Sequence, residues 1–412
     1  MHTQSKKILV ALSGGVDSSV AAALLVRQGH YVSGAYMKQW SDTKEVSGVC
    51  TWKEDRRDAM RVAAKLGIDF LTLDFEKEYK EWVMGYMFDA YQAGRTPNPD
   101  VMCNKFIKFG AWLDKAHELG FDYLATGHYA RLRRETQNNT KLKIQNNDQL
   151  PITNYQLLQA KDENKDQTYF LHQLSQEQLA HTMFPLGEYT KADVRKMAHE
   201  FDLPTANRPE SMGICFVGEV PMKDFLQQKI HKTPGKIVMS SGEGVGEHEG
   251  LAFYTIGQRH LGVHSSKPIV HSDGRKPLYV VEKDFEKNEL VVGYEDDPLL
   301  YKKQIGVQNM HWIGGSADAS LCSALADKQI GASGHSRFFQ LECEVRLRHR
   351  QPLQKVMVRY PKERSDEESL HVMVFDSPQR AVTPGQFAVM YKDGVCLGGG
   401  IIEYVYDTSC KQ

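Results

Sequence analysis

Short apolar runs alternate with stretches of helical periodicity along the first 130 or so residues. The runs KILVAL, YVSGAYM, DFLTLDF and YLATGHYARL are rich in β-formers, and helical patterns such as SSVAAALLVRQG and DRRDAMRVAAKLG stand between them. Strands that alternate with helices are typical of a parallel sheet covered on both faces. The pattern therefore predicts an α/β fold with a parallel sheet for the N-terminal part of the chain.

The pattern changes twice further along. A hydrophilic stretch at 133–149 predicts a surface hairpin or loop, and the spacing of Thr190 and Asp193 predicts a capping box at the start of a helix. Beyond about residue 232 glycines punctuate the sequence, PLYVVEKDFEKNELVVG predicts a hairpin, and apolar and polar residues then alternate, as in LECEVRLRH. We predict a catalytic α/β domain with a helical extension at 1–220, a small β-rich central domain at 221–304 and a C-terminal β-barrel at 305–412.

Composition and charge narrow the class of protein. With 41% hydrophobic and 25% charged residues the chain is typical of a globular protein, and it contains no run of 18 apolar residues, so we predict no membrane span. The N-terminal MHTQSKK leaves no room for a targeting peptide before the first strand, which predicts a cytoplasmic protein. A net charge of −1 argues against binding of nucleic acid through overall charge but leaves local basic patches possible.

The cysteines suggest chemistry rather than cross-links. Their number is seven and no C-x-x-C pair occurs, which favours neither a disulfide framework nor a zinc site and fits a reducing compartment. We therefore predict no protein-bound metal centre. Cys343 and Cys396 lie in apolar patterns and are expected in the core, whereas Cys103 and Cys215 have unusual surroundings.

The stretch SGGVDSS, Ser13–Ser19, connects a predicted strand to a predicted helix. Backbone N–H groups at such a helix start, two glycines and several hydroxyls favour a site for phosphates. The lysine of a Walker loop is missing, so we expect pyrophosphate in the loop, Asp17 near a Mg²⁺ ion and AMP transfer as the chemistry. A plain strand-to-helix turn with a serine cap would have the same sequence features.

Two cysteines, Cys103 and Cys215, are candidates for a second chemical role. GRTPNPDVMCNKFIKFG predicts a helix after extended prolines, with Cys103 at or near its N-terminus beside two lysines, where a thiolate is stabilised. Asp100 is expected to cap that helix or to handle a proton. In NRPESMGICFVGE, Cys215 lies among glycines on a predicted loop. Two thiols suffice for sulfur transfer, although each alone is also compatible with a structural role.

These stretches together resemble a known family. Ser13–Ser19 looks like the loop of the N-type ATP pyrophosphatases, and the chain as a whole resembles the bacterial tRNA-specific 2-thiouridylases. The resemblance rests on nine stretches in order: ALSGGVDSSVAAALL, GRTPNPDVMCNKFIKFG, ATGHYA, KDQTYFL, GICFVGE, PGKIV, TIGQRHLG, VTPGQFAVMY and CLGGGII. It implies an adenine nucleotide alpha hydrolase-like (PP-loop) domain at the N-terminus.

The resemblance also implies roles for individual positions. Cys103 is similar to the nucleophile and Cys215 to the persulfide carrier, and we add Asp100 to the catalytic residues as the group that handles a proton. We expect Cys103 to attack the persulfide, which forms a disulfide bond or releases hydrosulfide. The positions similar to ATP-binding residues are Ala11, Leu12, Ser13, Gly14, Gly15, Val16, Asp17, Ser18, Met37 and Gly127. Those similar to residues that meet the target base are Asn98, Pro99 and Asp100. Those similar to tRNA-contacting residues are His128, Lys165, Asp166, Gln167, Arg348, His349 and Gln386.

The activity implied is ATP-dependent 2-thiolation of the wobble uridine, position 34, of tRNA. It implies ATP with Mg²⁺, a persulfide from an upstream donor protein of the sulfur-relay or cysteine-desulfurase kind, and tRNA as partner; we expect a monomer that binds no membrane.

The family reads Arg-Tyr-Arg-Gln where this chain has Arg348-His349-Arg350-Gln351. An adenylating ligase or amidotransferase of the same fold, and a non-catalytic RNA-binding protein, remain the alternatives.

Overall fold

The computed structural model describes residues 5–38, 51–136, 153–209, 222–259, 261, 277–314, 338–361 and 370–406. Its strands are β1 (Lys7–Ala11), β2 (Tyr31–Lys38), β3 (Asp69–Asp74), β4 (Tyr123–Ala125), β5 (Arg131–Thr136), β6 (Thr153–Leu158), β7 (Thr182–Met183), β8 (Gly235–Met239), β9 (Gly244–His248), β10 (Tyr279–Asp284), β11 (Glu289–Gly293), β12 (Tyr301–Trp312), β13 (Phe338–Arg346), β14 (Gln354–Pro361), β15 (His371–Arg380), β16 (Phe387–Lys392) and β17 (Val395–Tyr406).

The helices are mostly short. They are α1 (Val16–Arg27), α2 (Thr51–Leu66), α3 (Glu76–Glu78), α4 (Gly85–Gln92), α5 (Pro99–Met102), α6 (Trp112–Glu118), α7 (Thr168–Leu171), α8 (Gln176–Ala180), α9 (Lys191–Glu200) and α10 (Met222–Leu226). Two π-helical segments, Tyr79–Met84 and Cys103–Ala111, continue into α4 and α6, and 3₁₀ turns lie at Leu251–Phe253 and Pro298–Leu300. Thr190 and Asp193 form the predicted capping box of α9.

The N-terminal sheet is parallel, with strand order β3-β2-β1-β4-β7. β1 lies at its centre, and Ile8, Leu9 and Val10 are fully buried because helices cover both faces. Ile8 and Val10 face α1 and α2, while Leu9 faces the cluster that includes Trp112. The predicted parallel α/β sheet is therefore confirmed, and the carboxyl ends of β1, β2 and β4 lie side by side.

The central sheet has the order β10-β11-β8-β9. Its β10–β11 hairpin is the one that the sequence predicts, paired antiparallel from Tyr279 with Gly293 to Asp284 with Glu289. Ile237, Val280 and Leu290 are buried between this sheet and the 3₁₀ turn at 251–253. The sheet thus encloses a small core of its own.

The C-terminal strands close into a six-stranded antiparallel barrel. The order is β12-β15-β14-β13-β16-β17, and β17 pairs again with β12. On β13 the alternation holds, since Leu341, Cys343 and Val345 point into the barrel core. Cys343 and Cys396 are buried, as predicted, and neither forms a disulfide bond. The domain boundaries at 220 and 304 stay predictions; β12 begins at Tyr301 and extends across the second of them.

The hairpin near residue 133 has a role that the sequence did not suggest. β5 and β6 pair with each other, and β6 pairs with β17, so the hairpin extends the barrel sheet from the N-terminal part of the chain. Residues 137–152 lie outside the described part. No helix in the described ranges is long and apolar enough to cross a membrane.

Candidate nucleotide and tRNA site

The loop between β1 and α1 is held in shape by its own hydroxyls. The Ser18 Oγ accepts a hydrogen bond from the Ser13 backbone N–H at 3.1 Å, and the Ser13 Oγ accepts one from the Gly15 N–H at 3.3 Å. Gly14 has φ +80°, and a Cβ there would lie 2.3 Å from the carbonyl oxygen of Asp55. No side chain caps α1, whose N-cap is Gly15. The loop therefore leaves the backbone N–H groups at the start of α1 for an anion.

Asp17, on the first turn of α1, is held by two residues that the sequence prediction missed. The Tyr129 hydroxyl donates to its carboxylate at 2.8 Å, and the Lys191 ammonium contacts both carboxylate oxygens, at 2.6 and 2.8 Å. Lys191 is the first residue of α9, directly after the capping box. A cation thus lies beside the loop although the loop itself contains no lysine.

Arg208 ties a third part of the chain to the loop. It donates to the Gly14 carbonyl at 2.9 Å and to Asp58 at 2.8 Å, and it pairs with Asp55. Burial raises the pKa of Asp55, and the hydrogen bond from Arg208 opposes that shift. Arg208 lies in the stretch that leads to Cys215, which itself is outside the described residues. The entry to the Cys215 segment is therefore attached to the loop.

The remaining predicted ATP residues converge on the same edge of the sheet. Gly127 follows β4, and a Cβ on it would lie 2.7 Å from the backbone nitrogen of Ser18. Met37 lies near the carboxyl end of β2 and is buried, and Leu12 donates its N–H to the Ala35 carbonyl at 2.8 Å. The carboxyl edge of a parallel sheet is where such folds bind nucleotides. The geometry is compatible with ATP there, and the individual assignments stay predictions.

The surroundings of Cys103 differ in part from the expectation. Helix α5 begins at Pro99 and its cap is Asn98, whose side chain accepts from the Val101 N–H at 3.3 Å, so the idea that Asp100 caps the helix is wrong. Cys103 follows α5 as the first residue of a π-helical segment, one full turn inside the helix. Its thiol forms no disulfide bond and has no exposed surface. A base or a persulfide reaches this sulfur only if the surrounding segment moves.

Most of the predicted tRNA-contacting residues lie in the junction between the N-terminal domain and the barrel. Asp166 is buried and pairs with Arg346 on β13 at 2.5 Å, so Arg346 is not exposed although the alternation of apolar and polar residues places it on the polar side of its strand. Gln167 accepts from the Tyr129 N–H at 3.0 Å, which links it to the nucleotide loop. Lys165, which precedes Asp166 in the sequence, is half-buried. This segment connects the nucleotide loop to the barrel.

Three further members of that set, His128, Arg348 and Gln386, are also engaged. His128 is buried, its Nδ1 lies 2.8 Å from the Thr126 hydroxyl, and burial holds its pKa well below the usual value. Arg348 donates to the Thr383 hydroxyl at 2.7 Å. Gln386 donates to the carbonyls of Thr96 and Pro97, at 2.8 and 3.1 Å.

His349 is the position at which the sequence departs from the pattern that it otherwise resembles. Its ring lies 4.5 Å from that of Phe170, centroid to centroid, and burial lowers its pKa to about 4. The imidazole is therefore neutral at physiological pH. It can stack or form neutral hydrogen bonds, but it brings no positive charge to a phosphate.

A parallel sheet with an uncapped, glycine-containing loop at its carboxyl edge is typical of nucleotide-binding folds, and the family model that matches residues 6–219 assigns this domain to the HUP class. Three family models match in order: the tRNA methyl transferase HUP domain at 6–219, the tRNA methyl transferase PRC-barrel domain at 223–294 and the aminomethyltransferase beta-barrel domain at 302–402. Together they cover most of the chain.

The relatives specify the family. The tRNA-specific 2-thiouridylase MnmA of Bacillus velezensis is 44% identical over 99% of this chain and 98% of that protein. The proteins of the same name from Acinetobacter baumannii and Bacillus subtilis are 45% and 44% identical, over 97% and 99% of this chain and 97% and 98% of their own lengths. The chain belongs to the tRNA-specific 2-thiouridylase family.

Proposed function

We propose that this protein replaces the C2 oxygen of the wobble uridine of tRNA by sulfur, at the expense of ATP. The observation that carries the proposal is the match to 2-thiouridylases over 99% of the chain. The methyl-transfer wording of two of the family models describes a different reaction. An uncapped helix start next to Asp17 and Lys191 suits the release of pyrophosphate, which methyl transfer does not require.

The first step is adenylation of the base. The uridine O2 attacks the α-phosphate of ATP, the new O–P bond replaces the bond to pyrophosphate, and the proton on N3 of the uridine leaves. We assign the pyrophosphate to the loop at 13–18 and the acceptance of the proton to Asp100. Lys191, now paired with Asp17 at 2.6 Å, is close enough to exchange that partner for a phosphate oxygen. AMP then becomes a leaving group in place of an oxide ion.

The loop fits a Mg²⁺ ion carried by the phosphates. The described ranges contain no group of three His, Cys, Asp or Glu side chains that could hold a metal alone. Mg²⁺ at nucleotide sites is commonly held by one or two carboxylates plus phosphates, and Asp17 supplies such a carboxylate. When bound, the ion would neutralise charge on the departing pyrophosphate.

The second step transfers sulfur. We assign a persulfide to Cys215: its terminal sulfur attacks C2, and AMP leaves with the original oxygen. Cys103 then attacks the Cys215 sulfur, a disulfide forms between the two cysteines, and the transferred sulfur stays on the base. If Cys103 instead releases hydrosulfide first, the same disulfide results. Either order consumes one persulfide per turnover and needs a thiol reductant to restore both cysteines.

The position of Arg208 supports a meeting of the two thiols near ATP. Cys215 lies seven positions after Arg208 in the sequence. A chain of that length spans at most about 25 Å. Because Arg208 is bonded to the Gly14 carbonyl, Cys215 stays within reach of the nucleotide loop.

We also propose the partners and the compartment. The target base has to leave the anticodon stack, which costs about a few kcal/mol that contacts elsewhere on the tRNA must offset. A donor protein supplies the persulfide. Cys103, Cys343 and Cys396 form no disulfide bonds, which supports a reducing cytoplasm, and we expect a monomer.

Nucleoside mass spectrometry of tRNA tests the proposal. The protein is incubated with tRNA, ATP, Mg²⁺ and a polysulfide, whose sulfane sulfur can load a persulfide on Cys215 without an added oxidant, alongside Cys103→Ser and Cys215→Ser. We expect 2-thiouridine with the wild type and none with either variant, while Cys343→Ser, a change inside the barrel core, retains it. Release of pyrophosphate without 2-thiouridine in the wild type would favour an adenylating ligase of the same fold, and absence of pyrophosphate release would favour a non-catalytic RNA-binding protein. Formation of 2-thiouridine by both variants would overturn the roles assigned to the two thiols.

A further inference from the structure

The four residues before the predicted base-contacting segment are held from three sides. We call residues 94–97 the anchor segment; it leads into Asn98–Asp100 and, one turn later, into Cys103. It belongs to the N-terminal domain, yet its contacts come from the central sheet and the barrel as well. Because this four-residue segment contacts all three domains, it is suited to transmit a shift of one domain to another.

The barrel holds the backbone of the anchor segment. The Thr96 N–H donates to the Pro384 carbonyl at 2.9 Å, and the Gln386 amide donates to the carbonyls of Thr96 and Pro97. Gly385 has φ +91°, and a Cβ on it would lie 2.9 Å from the Thr96 nitrogen. The barrel loop therefore lies directly against the segment.

The central domain holds the other end through Lys283 on β10. Its ammonium donates to the Gly94 carbonyl at 2.6 Å and to the Tyr254 carbonyl at 3.0 Å. The Phe285 ring covers Gly94, since a Cβ there would lie 1.9 Å from the ring. The hydroxyls of Thr96 and Thr255 are 3.3 Å apart. Three side chains of the central domain thus contact the segment.

Lys283 is an unusual residue for a purely structural contact. Burial lowers the pKa of its ammonium to about 8, and no carboxylate offsets that cost among its partners in the described part of the chain. Removing a cation from water without a counter-charge is unfavourable, and an apolar side chain would fill the same space without the penalty. A donor that holds two carbonyls of different domains at fixed positions accounts for the lysine.

We infer that Lys283 is a positioning residue, which fixes the anchor segment so that Asn98–Asp100 face a uridine whose tRNA is bound across the domains. The inference rests on the proposed function, because it concerns the segment that meets the base. Lys283 acts through the Gly94 carbonyl and does not touch the substrate. It therefore affects the rate of the chemistry rather than the affinity for ATP.

The test compares Lys283→Met with Lys287→Met, a lysine in the same hairpin that is mostly exposed. Hydrogen exchange of a peptide covering 93–98, resolved by mass spectrometry, reports on the anchor segment independently of activity. Single-turnover formation of 2-thiouridine at saturating tRNA and ATP reports on the chemistry, and the dissociation constant of ATP reports on the nucleotide loop. Wild-type turnover tests the proposed function separately.

We expect Lys283→Met to speed exchange in 93–98 at least tenfold and to slow thiolation about tenfold. The ATP dissociation constant should stay within twofold, and Lys287→Met should match the wild type throughout. Phe285→Ala, which shortens a half-exposed ring, should shift exchange and rate in the same direction by about threefold even if Lys283→Met does not fold. Unchanged exchange, or faster exchange with an unchanged rate, in either variant would overturn the inference.

Discussion

The nucleotide loop and the thiol region of this protein are built in opposite ways. The loop at 13–18 is held by hydroxyls two to five residues away in the sequence, and its shape is complete without a partner domain. The segment at 94–97 that leads to Cys103 contacts barrel and central-domain residues up to 290 positions distant, and the thiol is enclosed. The comparison indicates that the nucleotide loop is organised within one domain, whereas the proposed sulfur transfer depends on how the domains are placed.

The largest effect we predict concerns the buried ion pair between Asp166 and Arg346. Arg346→Met leaves the Asp166 carboxylate buried without its partner, which costs about 3–5 kcal/mol. Thermal unfolding should show a large loss of stability, against little change for Arg133→Met on the exposed hairpin strand β5. Equal stability of both variants would mean that this ion pair does not hold the domains together.

The second prediction addresses the nucleotide loop. Asp17→Asn removes the charge that pairs with Lys191 and that we assign to the Mg²⁺ site, and tRNA-dependent release of pyrophosphate should fall about 100-fold, or about 2.7 kcal/mol. Asp69→Asn, an acid at the other end of the sheet that bonds Tyr31, serves as control. A loss of less than about threefold for Asp17→Asn would remove Asp17 from the reaction.

The third prediction separates backbone strain from loss of space in the same loop. Gly14→Ala combines a positive φ with a 2.3 Å approach to the Asp55 carbonyl, whereas Gly29→Ala has the same φ and open space. The strain alone costs about 1–2 kcal/mol in each variant. Only Gly14→Ala should also weaken ATP binding, by at least tenfold in a titration. Equal ATP affinities would show that the loop tolerates a displaced Gly14.

The smallest effect is expected at His349. Its pKa of about 4 lies below the unfolded value of 6.5, so the unfolded state binds more protons between those values, and the contribution to stability falls as the pH drops from 6.5 towards 4. At pH 7–8 the ring is neutral. His349→Tyr should therefore change tRNA affinity less than twofold at pH 7.5, and should reduce the loss of stability on acidification below pH 6.5. A tenfold loss of affinity at pH 7.5 would indicate a charged contact.

Local signals in the sequence were sufficient for the elements and the nucleotide loop. The capping box at Thr190 and the alternation around Cys343 depend on neighbours a few residues away, and both are observed. Lys191 was not predicted as a site residue because its partner Asp17 is 174 positions distant. Its one local signal was its place right after the capping box, at the start of a helix.

Contacts between residues that are distant in the sequence also explain why the predictions for Asp100 and Arg346 were wrong. Asn98 and Asp100 are both capable caps, and only the actual start of α5 at Pro99 decides between them. Arg346 occupies the polar side of an alternating strand, which predicts exposure, but a different domain covers that side. Contacts between domains leave no periodic pattern in either segment, so the junction could not be predicted.

The central claim is that the nucleotide half works without the thiol half. Its most direct test is a single turnover of Cys103→Ser with tRNA and ATP labelled at the α-phosphate. We predict a burst of pyrophosphate and labelled, adenylated tRNA, up to one per protein, with no 2-thiouridine. If the variant releases no pyrophosphate and leaves the tRNA unlabelled, adenylation requires Cys103 and the two regions act as one site.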